Sequence, residues 1–394
     1  MIGASLALAL GPLGLKVAMI EAVARTADQQ PSFDDRSTAL SRSTQRMFEA
    51  MGLWPSVVAA STPIHHVHVS DKGRFGFSHI DAEEQGVEAL GYVVINRVLG
   101  AVLQDSLAGV DNLDVICPAS IVDVHVDDDM ATVEIADGDE SRTLTGGLVV
   151  AADGANSSVR EMIGISATRV DYEQWAVIGN LLPGEAPENR AFERFTETGP
   201  IAMLPIADDR AAFVWMLPPD EAQRVLDMGD EAFTASLQAA FGQRLGIFSR
   251  VGQRAAYPLS LTKANGLISR RSVVVGNAAH GLHPVAAQGF NLGMRDVAAL
   301  CDCIADAKRD GQDIGGSAML ETFAEWRRPD QQKLVRFTDG LVRLFGDSRP
   351  TVRVLRNLGM IGFDLVPGVR RLFARHTMGL AGRLPRLSRG VPLT

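Results

Sequence analysis

Residues 273–297 read Val-Val-Val-Gly-Asn-Ala-Ala-His-Gly-Leu-His-Pro-Val-Ala-Ala-Gln-Gly-Phe-Asn-Leu-Gly-Met-Arg-Asp-Val. The β-branched run Val273–Val275 predicts a buried strand that stops at Gly276. A turn containing Pro284 follows, and Gln288-Gly289-Phe290-Asn291 opens an amphipathic helix. A buried strand that runs into a helix N-terminus is where an α/β protein offers backbone N–H groups to an anionic ligand. A similar logic applies near the start of the chain. Gly3-Ala4-Ser5-Leu6-Ala7 opens a helix, and Glu21 closes the next strand 18 residues later. In a dinucleotide fold such a glycine lets helix and strand pack closely, and such an acid accepts hydrogen bonds from a ribose.

The 394 residues are enough for two domains. Hydrophobic residues make up 46% and charged residues 22%, as in an ordinary soluble globular protein. The net charge of −9 argues against nucleic acid as a partner. Cys117, Cys301 and Cys303 form no CxxC pair, so the cysteine usage fits a reducing cytoplasm. Met1 to Ile20 carries one charge, Lys16, but no basic leader region, and Gly11-Pro12 interrupts the apolar run. It reads as a buried helix over Ser5–Leu10 and a buried parallel strand over Lys16–Ile20, not as a signal or spanning segment.

Charge is unevenly spread. Arg349 to Thr394 holds nine arginines against one acid, Asp364, so it carries +8 and the remaining 348 residues −17. The same segment contains Leu355, Leu358, Ile361, Phe363, Leu365, Leu372 and Phe373. A cationic, apolar, helical tail on an acidic body suggests an element that docks on a membrane surface or a partner.

Between these landmarks, a turn followed by a helix over Asp35–Leu53 and helical patterns over Arg97–Leu107 and Asp220–Phe241 alternate with strand-rich stretches, and helices dominate from Leu320 with breaks at Pro350 and Pro367. The expected fold is α/β: a doubly wound, Rossmann-like domain interleaved with a mixed-sheet substrate domain, and a helical C-terminus. The boundaries read as 1–59, 96–167 and 262–335 for the first, 60–95 and 168–261 for the second, and 336–394 for the tail. His66 and His68 share one strand face and His65 points away, which fits sheet histidines better than a metal set. Trp175 and Trp215 fall in strands of the second domain.

Three further stretches complete a pattern: Asp35-Arg36-Ser37-Thr38-Ala39-Leu40-Ser41, Arg97 at a helix start, and Val149-Val150-Ala151-Ala152-Asp153-Gly154-Ala155-Asn156-Ser157-Ser158-Val159-Arg160. Together with 273–297, these resemble the single-component flavin aromatic hydroxylases. The resemblance is greatest to the ubiquinone-biosynthesis hydroxylases of the 2-polyprenyl-6-methoxyphenol type. Members of that family begin with a strand and a Gly-x-Gly-x-x-Gly turn, of which this sequence holds the last glycine, Gly3.

The resemblance implies FAD bound noncovalently, NADH or NADPH as cosubstrate, and O₂ activated as a flavin C4a-hydroperoxide that hydroxylates a polyprenyl phenol. It implies cofactor contacts at Gly3, Glu21, Arg36, Arg97, Asp153, Gly154, Gly276, Asn277, Pro284, Gln288, Gly289, Phe290 and Asn291. Arg36 offers a fork of donors to a pyrophosphate. Asn277 stands where most flavin hydroxylases carry an acid, as in the methoxyphenol branch, and Ala287 stands where relatives usually have glycine. Asp153 can equally serve as the cap of a strand-to-helix turn. No catalytic base is assigned. A soluble aromatic-acid hydroxylase of the same fold, or a flavin-free structural member of a biosynthetic complex, fits many of the same residues. The first would need a buried arginine in the 168–260 sheet, whereas Leu204, Trp215 and Met216 lean toward an apolar channel. The basic tail would bring such an enzyme to the inner membrane or to a ubiquinone-biosynthesis complex.

Overall fold

The computed structural model describes residues 1–24, 36–74, 76–138, 140–283, 287–346 and 349–393. Its first helix, Ile2–Leu10, packs on the long helix Gly289–Arg309. The two approach closely because Gly293 has no side chain. A β-carbon there would lie 2.8 Å from Ile2 Cδ1 and 3.1 Å from Gly276 Cα. Around this contact lies the larger apolar core, with Leu6, Leu10, Val273–Val275, Val297, Leu300 and Phe323.

The parallel part of the fold stands in two pieces. Val17–Ile20 pairs in parallel with Leu113–Ile116, and Val149–Ala151 pairs in parallel with Ser272–Val274. Among the described residues no strand joins them. Ser272–Val274 is buried throughout, as a central parallel strand should be. The strand expected to be buried over Lys16–Ile20 runs over Val17–Ile20 and is not buried. Val17, Met19 and Ile20 are half-buried and Ala18 is exposed, because the strand's second edge opens onto a cleft.

The second core belongs to an eight-stranded mixed sheet. Its order is His280–Gly281, Ala255–Ala264, Ala167–Leu181, Ala211–Leu217, Pro200–Pro205, Arg190–Phe195, His66–Asp71 and Phe77–Asp81. Pairing is antiparallel except between Arg190–Phe195 and His66–Asp71. Side chains alternate across it. Val177, Ile201, Met203, Phe213 and Trp215 face the helices Pro219–Leu226 and Asp230–Phe241, where Phe233 meets Phe213 and Trp215 at 5.6 and 6.0 Å. Ala176, Ile178, Ala202, Leu204, Val214 and Met216 line the cleft instead. Segment 60–95 is divided: 66–81 joins this sheet, while Gly91–Ile95 pairs on one side with Ser61–Ile64 and on the other with Ser37–Ser41, a strand the sequence pattern did not reveal.

At the C-terminus, Pro350 and Pro367 each open a helix, Pro350–Leu365 and Pro367–Thr377, as their fixed φ favours. Pro329 lies inside the helix Ser317–Gly346, which runs through the expected tail boundary at 335/336. The tail is not loose. Arg356 Nη2 bonds Asp71 Oδ2 at 2.5 Å, with both side chains buried, and the backbone N–H groups of Gly76 and His79 donate to Asn357 and Asp364. Phe363 and Phe373 pack on each other at 5.2 Å, and so do not form part of an outward stripe.

One buried carboxylate fixes the turn after Val275. Asp296 accepts from Gly276 N (3.3 Å), His280 Nε2 (2.5 Å), Arg327 Nε (2.7 Å) and Gln331 Nε2 (2.9 Å). Burial pushes its pKa up. The charges and hydrogen bonds of His280 and Arg327 outweigh that and hold it well below the usual carboxylate range. A carboxyl group with a depressed folded pKa stabilises the fold above its unfolded pKa, and the contribution disappears as pH falls through the folded value. Asp296→Ala strands a buried arginine and is expected to lower stability by about 3–5 kcal/mol at neutral pH. Urea denaturation at pH 7 and at progressively lower pH checks this: the gap between wild type and variant should shrink as the medium becomes more acidic.

Candidate active site

A cleft of about 2000 Å³ lies between the two parallel pieces and the inner face of the eight-stranded sheet. A single drug-sized ligand needs roughly 300–1,000 Å³, so this space can hold a dinucleotide and a second molecule. Gly3, Glu21, Arg36, Asp153, Gly154, Asn277, Gly289 and Phe290 all line it. Sequence positions spread over nearly 290 residues are thus brought to one surface.

Each is placed by local structure. Glu21 follows the strand Val17–Ile20, and its Oε1 accepts from Val23 N at 3.1 Å. The Arg36 guanidinium lies 4.9 Å from the centre of the Tyr257 ring and so reaches across to the eight-stranded sheet. Asp153 accepts from Ser157 Oγ and, at 3.2 Å, from Val159 N, so it does cap the following turn while lining the cleft. Gly154 takes φ +92°, which a β-carbon would resist. Arg160, buried, donates from Nη1 to Ala155 O (3.1 Å) and Ala278 O (3.0 Å) and so clamps the Asp153-Gly154 turn to the Gly276–Ala278 turn.

The helix Gly289–Arg309 begins at the cleft with no side-chain cap, which leaves its positive end directed at whatever binds there. Ala287 just before it is left-handed, φ +50°, a conformation that costs a residue with a β-carbon about 1–2 kcal/mol. That is the physical meaning of an alanine where a glycine is expected.

Four expected residues do not line the cleft. Gly276 sits behind Asn277. Gln288 donates instead to Thr377 O at 3.2 Å. Asn291 is spent on structure: its Oδ1 accepts from Ser41 N and Thr44 Oγ1, both 2.8 Å, and its Nδ2 donates to Ala39 O and Ala287 O. Arg97 is exposed, and its neighbour Asn96 takes the cleft position, accepting from Thr38 Oγ1 at 2.6 Å. Pro284 lies outside the described residues. Trp215 faces the sheet's other core, whereas Leu204 and Met216 line the cleft. The sheet histidines are engaged elsewhere: His66 with Asp81, and His68 Nδ1 with His79 Nε2 at 2.8 Å.

Several site-shaping groups escaped the sequence reading. Asp296 and Arg160 stood inside the quoted motifs, but their partners lie far away in the chain. His283, next in the chain to the cleft-lining Leu282, is buried beside Tyr172, ring centres 5.0 Å apart, and burial pushes its pKa down to about 4, so it is neutral at pH 7. Glu193 lies on the sheet's cleft face.

The FAD binding domain family matches residues 1–338. Ubiquinone hydroxylase UbiL of Rhodospirillum rubrum is 36% identical over 397 residues, covering 100% of this chain and 91% of its own length. The 3-demethoxyubiquinol 3-hydroxylase of Escherichia coli is 30% identical and covers 96% of each chain. In structure, p-nitrophenol 4-monooxygenase PnpA from Pseudomonas putida superposes with a TM-score of 0.79 at 18% identity, over 97% of this chain and 96% of that one. The family match spans most of the sequence and the relatives align end to end, so the chain belongs to the FAD-binding-domain family and, within it, to the FAD-dependent hydroxylases of ubiquinone biosynthesis.

Proposed function

We propose that this chain hydroxylates the aromatic ring of a polyprenyl phenol, using FAD, NADH or NADPH, and O₂. The observation that carries the reading is the continuity of one cleft from the dinucleotide-fold residues to the apolar wall of the eight-stranded sheet. The donor set suits FAD: acids at strand ends for ribose hydroxyls, a guanidinium for the pyrophosphate, and an uncapped helix start for an anion. In this reading Glu21, Arg36, Asp153 and Asn277 hold the cofactor, with backbone N–H groups of Gly289 and Phe290. Bound FAD supplies the redox and oxygen chemistry. The chain's own residues orient the ring and exclude water. Between Ala176 and Met216 the lining is mostly apolar and includes no arginine, which favours a prenylated phenol over an aromatic acid. Purified protein with FAD, NAD(P)H and a short-chain polyprenyl phenol should form a product with one added ring oxygen, coupled to NAD(P)H oxidation. NAD(P)H oxidation that yields only peroxide, with no hydroxylated product, would sink the substrate assignment.

The cofactor map predicts unequal effects of two substitutions. Asp153→Ala should weaken FAD binding by about tenfold or more, the order expected for losing a charged hydrogen-bond partner. His66→Gln, on the second strand from the sheet's far edge and outside the cleft lining, should leave it unchanged. Flavin fluorescence titration decides, and equal losses in both variants would refute the map.

The tail supports docking on an anionic lipid surface, where a polyprenyl substrate would reside. No described helix is long and apolar enough to cross a membrane. The helix Pro350–Leu365 instead turns its polar side to the sheet and its apolar side outward. Leu355, Leu358 and Leu365 are 68%, 59% and 73% exposed, and Leu372 on the next helix is 60% exposed. Arg356, Arg370 and Arg386 pair with acids, while Arg371, Arg375 and Arg389 are exposed beside or beyond this stripe. Each exposed arginine near such a surface contributes about 1 kcal/mol, screened by salt. Replacing Leu355, Leu358, Leu365 and Leu372 together by glutamine should release the protein from anionic liposomes in co-sedimentation. Wild type should pellet at low salt; if it stays in the supernatant, the surface binds something other than lipid.

A further inference from the structure

The cleft face of the sheet carries one acid that nothing in the fold uses. Register places Val69, Glu193, Ala202, Val214 and Ile178 side by side across five strands, and so on one face. Four of the five are apolar. Glu193 Oε1 is shut off from solvent and has no hydrogen-bond partner. A carboxyl group left so is costly, and a buried polar atom in a native fold calls for a reason. The charged and titratable groups packed around this face are occupied with one another. Asp71, two positions along on the neighbouring strand, is bonded to Arg356. Tyr172 Oη donates to Asp339 Oδ1 at 3.4 Å, and Arg343 holds the other oxygen of Asp339 at 2.8 Å. Glu193 therefore has no internal partner to explain it, and it borders the space where the reading above seats the phenol.

We propose that Glu193 is the catalytic base of this cleft: its carboxylate accepts the hydroxyl hydrogen of the bound phenol and takes that proton when the ring is attacked. The phenol O–H bond breaks, a carboxyl O–H bond forms, and the electron pair left on oxygen enriches the ring carbons ortho and para to it. For the hydroxylation itself, one atom of O₂ replaces the ring hydrogen as hydroxyl, the other leaves as water, and NAD(P)H supplies the two electrons and is oxidised to NAD(P)⁺. The inference rests on the hydroxylase reading for its second half only, since a phenol site at Glu193 stands or falls by binding. Burial alone pushes the Glu193 pKa up to about 7, which poises it to exchange a proton near neutrality. The neutral substrate phenol, with a pKa near 10, is then the donor between about pH 7 and pH 10.

The test uses the full chain, with and without FAD, and 4-hexylphenol as the probe. In calorimetric titrations the wild type should bind this phenol up to about tenfold more tightly at pH 8 than at pH 6. Glu193→Gln should bind more weakly and without that pH dependence, and Glu193→Asp should restore part of it. Thermal melting separates this from a structural role. A raised folded pKa means stability is fully present below about 4.5 and falls as pH rises to about 7, so Glu193→Gln and Glu193→Leu should melt no lower than wild type at pH 8. A variant that melts well below wild type there, or one that keeps the wild-type affinity and pH profile, overturns the proposal. In turnover, the ionisation near pH 7 in kcat/KM should vanish in Glu193→Gln. If wild type shows the binding linkage but hydroxylates no phenol, the hydroxylase reading fails while the Glu193 site stands.

Discussion

Everything at the cofactor end of this molecule hangs on the carboxylate of Asp296. It sits on the Gly289–Arg309 helix, is wholly buried, and is surrounded by four donors from two separate segments, the turn that holds Gly276 and His280 and the helix Ser317–Gly346. A lone charge there would be prohibitively expensive, so each donor is obligatory rather than decorative. Because the Gly276 N–H is one of them, the strand Ser272–Val274 must end where it does, and Asn277 must project into the cleft. Because Arg327 is another, the long C-terminal helix is locked to the same point. Arg295 and Arg327 then share Asp330, at 3.1 and 2.7 Å, which extends the network toward the surface.

Local pattern was enough to read much of this. The run 273–297 announced strand, turn and helix because each step is encoded by neighbours: β-branched residues, then glycine, then an amphipathic period. The same holds for the helices that Pro350 and Pro367 open. What could not be read required partners far off in the chain. Ser37–Ser41 looks like a polar turn in sequence and becomes a strand only because Gly91–Ile95 pairs with it. Asn291 looked like a ligand contact, and in the fold its amide is consumed by the segments around Ala39, Ser41 and Thr44. Glu193, in Arg-Ala-Phe-Glu-Arg-Phe, reads as a solvated strand residue; only the register shows it facing an apolar wall.

The two-piece parallel sheet shows how a cleft can expose residues that their composition marks for the interior. Val17, Met19, Val149 and Val150 have core side chains, yet they border open space because, among the described residues, neither Val17–Ile20 nor Val149–Ala151 has a neighbour on its second edge. Strands with one unpaired edge retain backbone donors and acceptors that can take up another strand. Their stability therefore rests on the helices Ile2–Leu10 and Gly289–Arg309 packed across them rather than on sheet continuity.

The bond between Arg356 and Asp71 also sets a direction. It fastens the polar side of the Pro350–Leu365 helix to the strand His66–Asp71, two rows from the row of residues that contains Glu193. The outward leucines on the opposite side are thus rigidly indexed to the sheet. Whatever surface they settle against, the molecule lands in one attitude, with the cleft held at a set height and tilt above it. A long-tailed substrate leaving that surface would then meet the same wall of the sheet at every encounter, with no search over orientations.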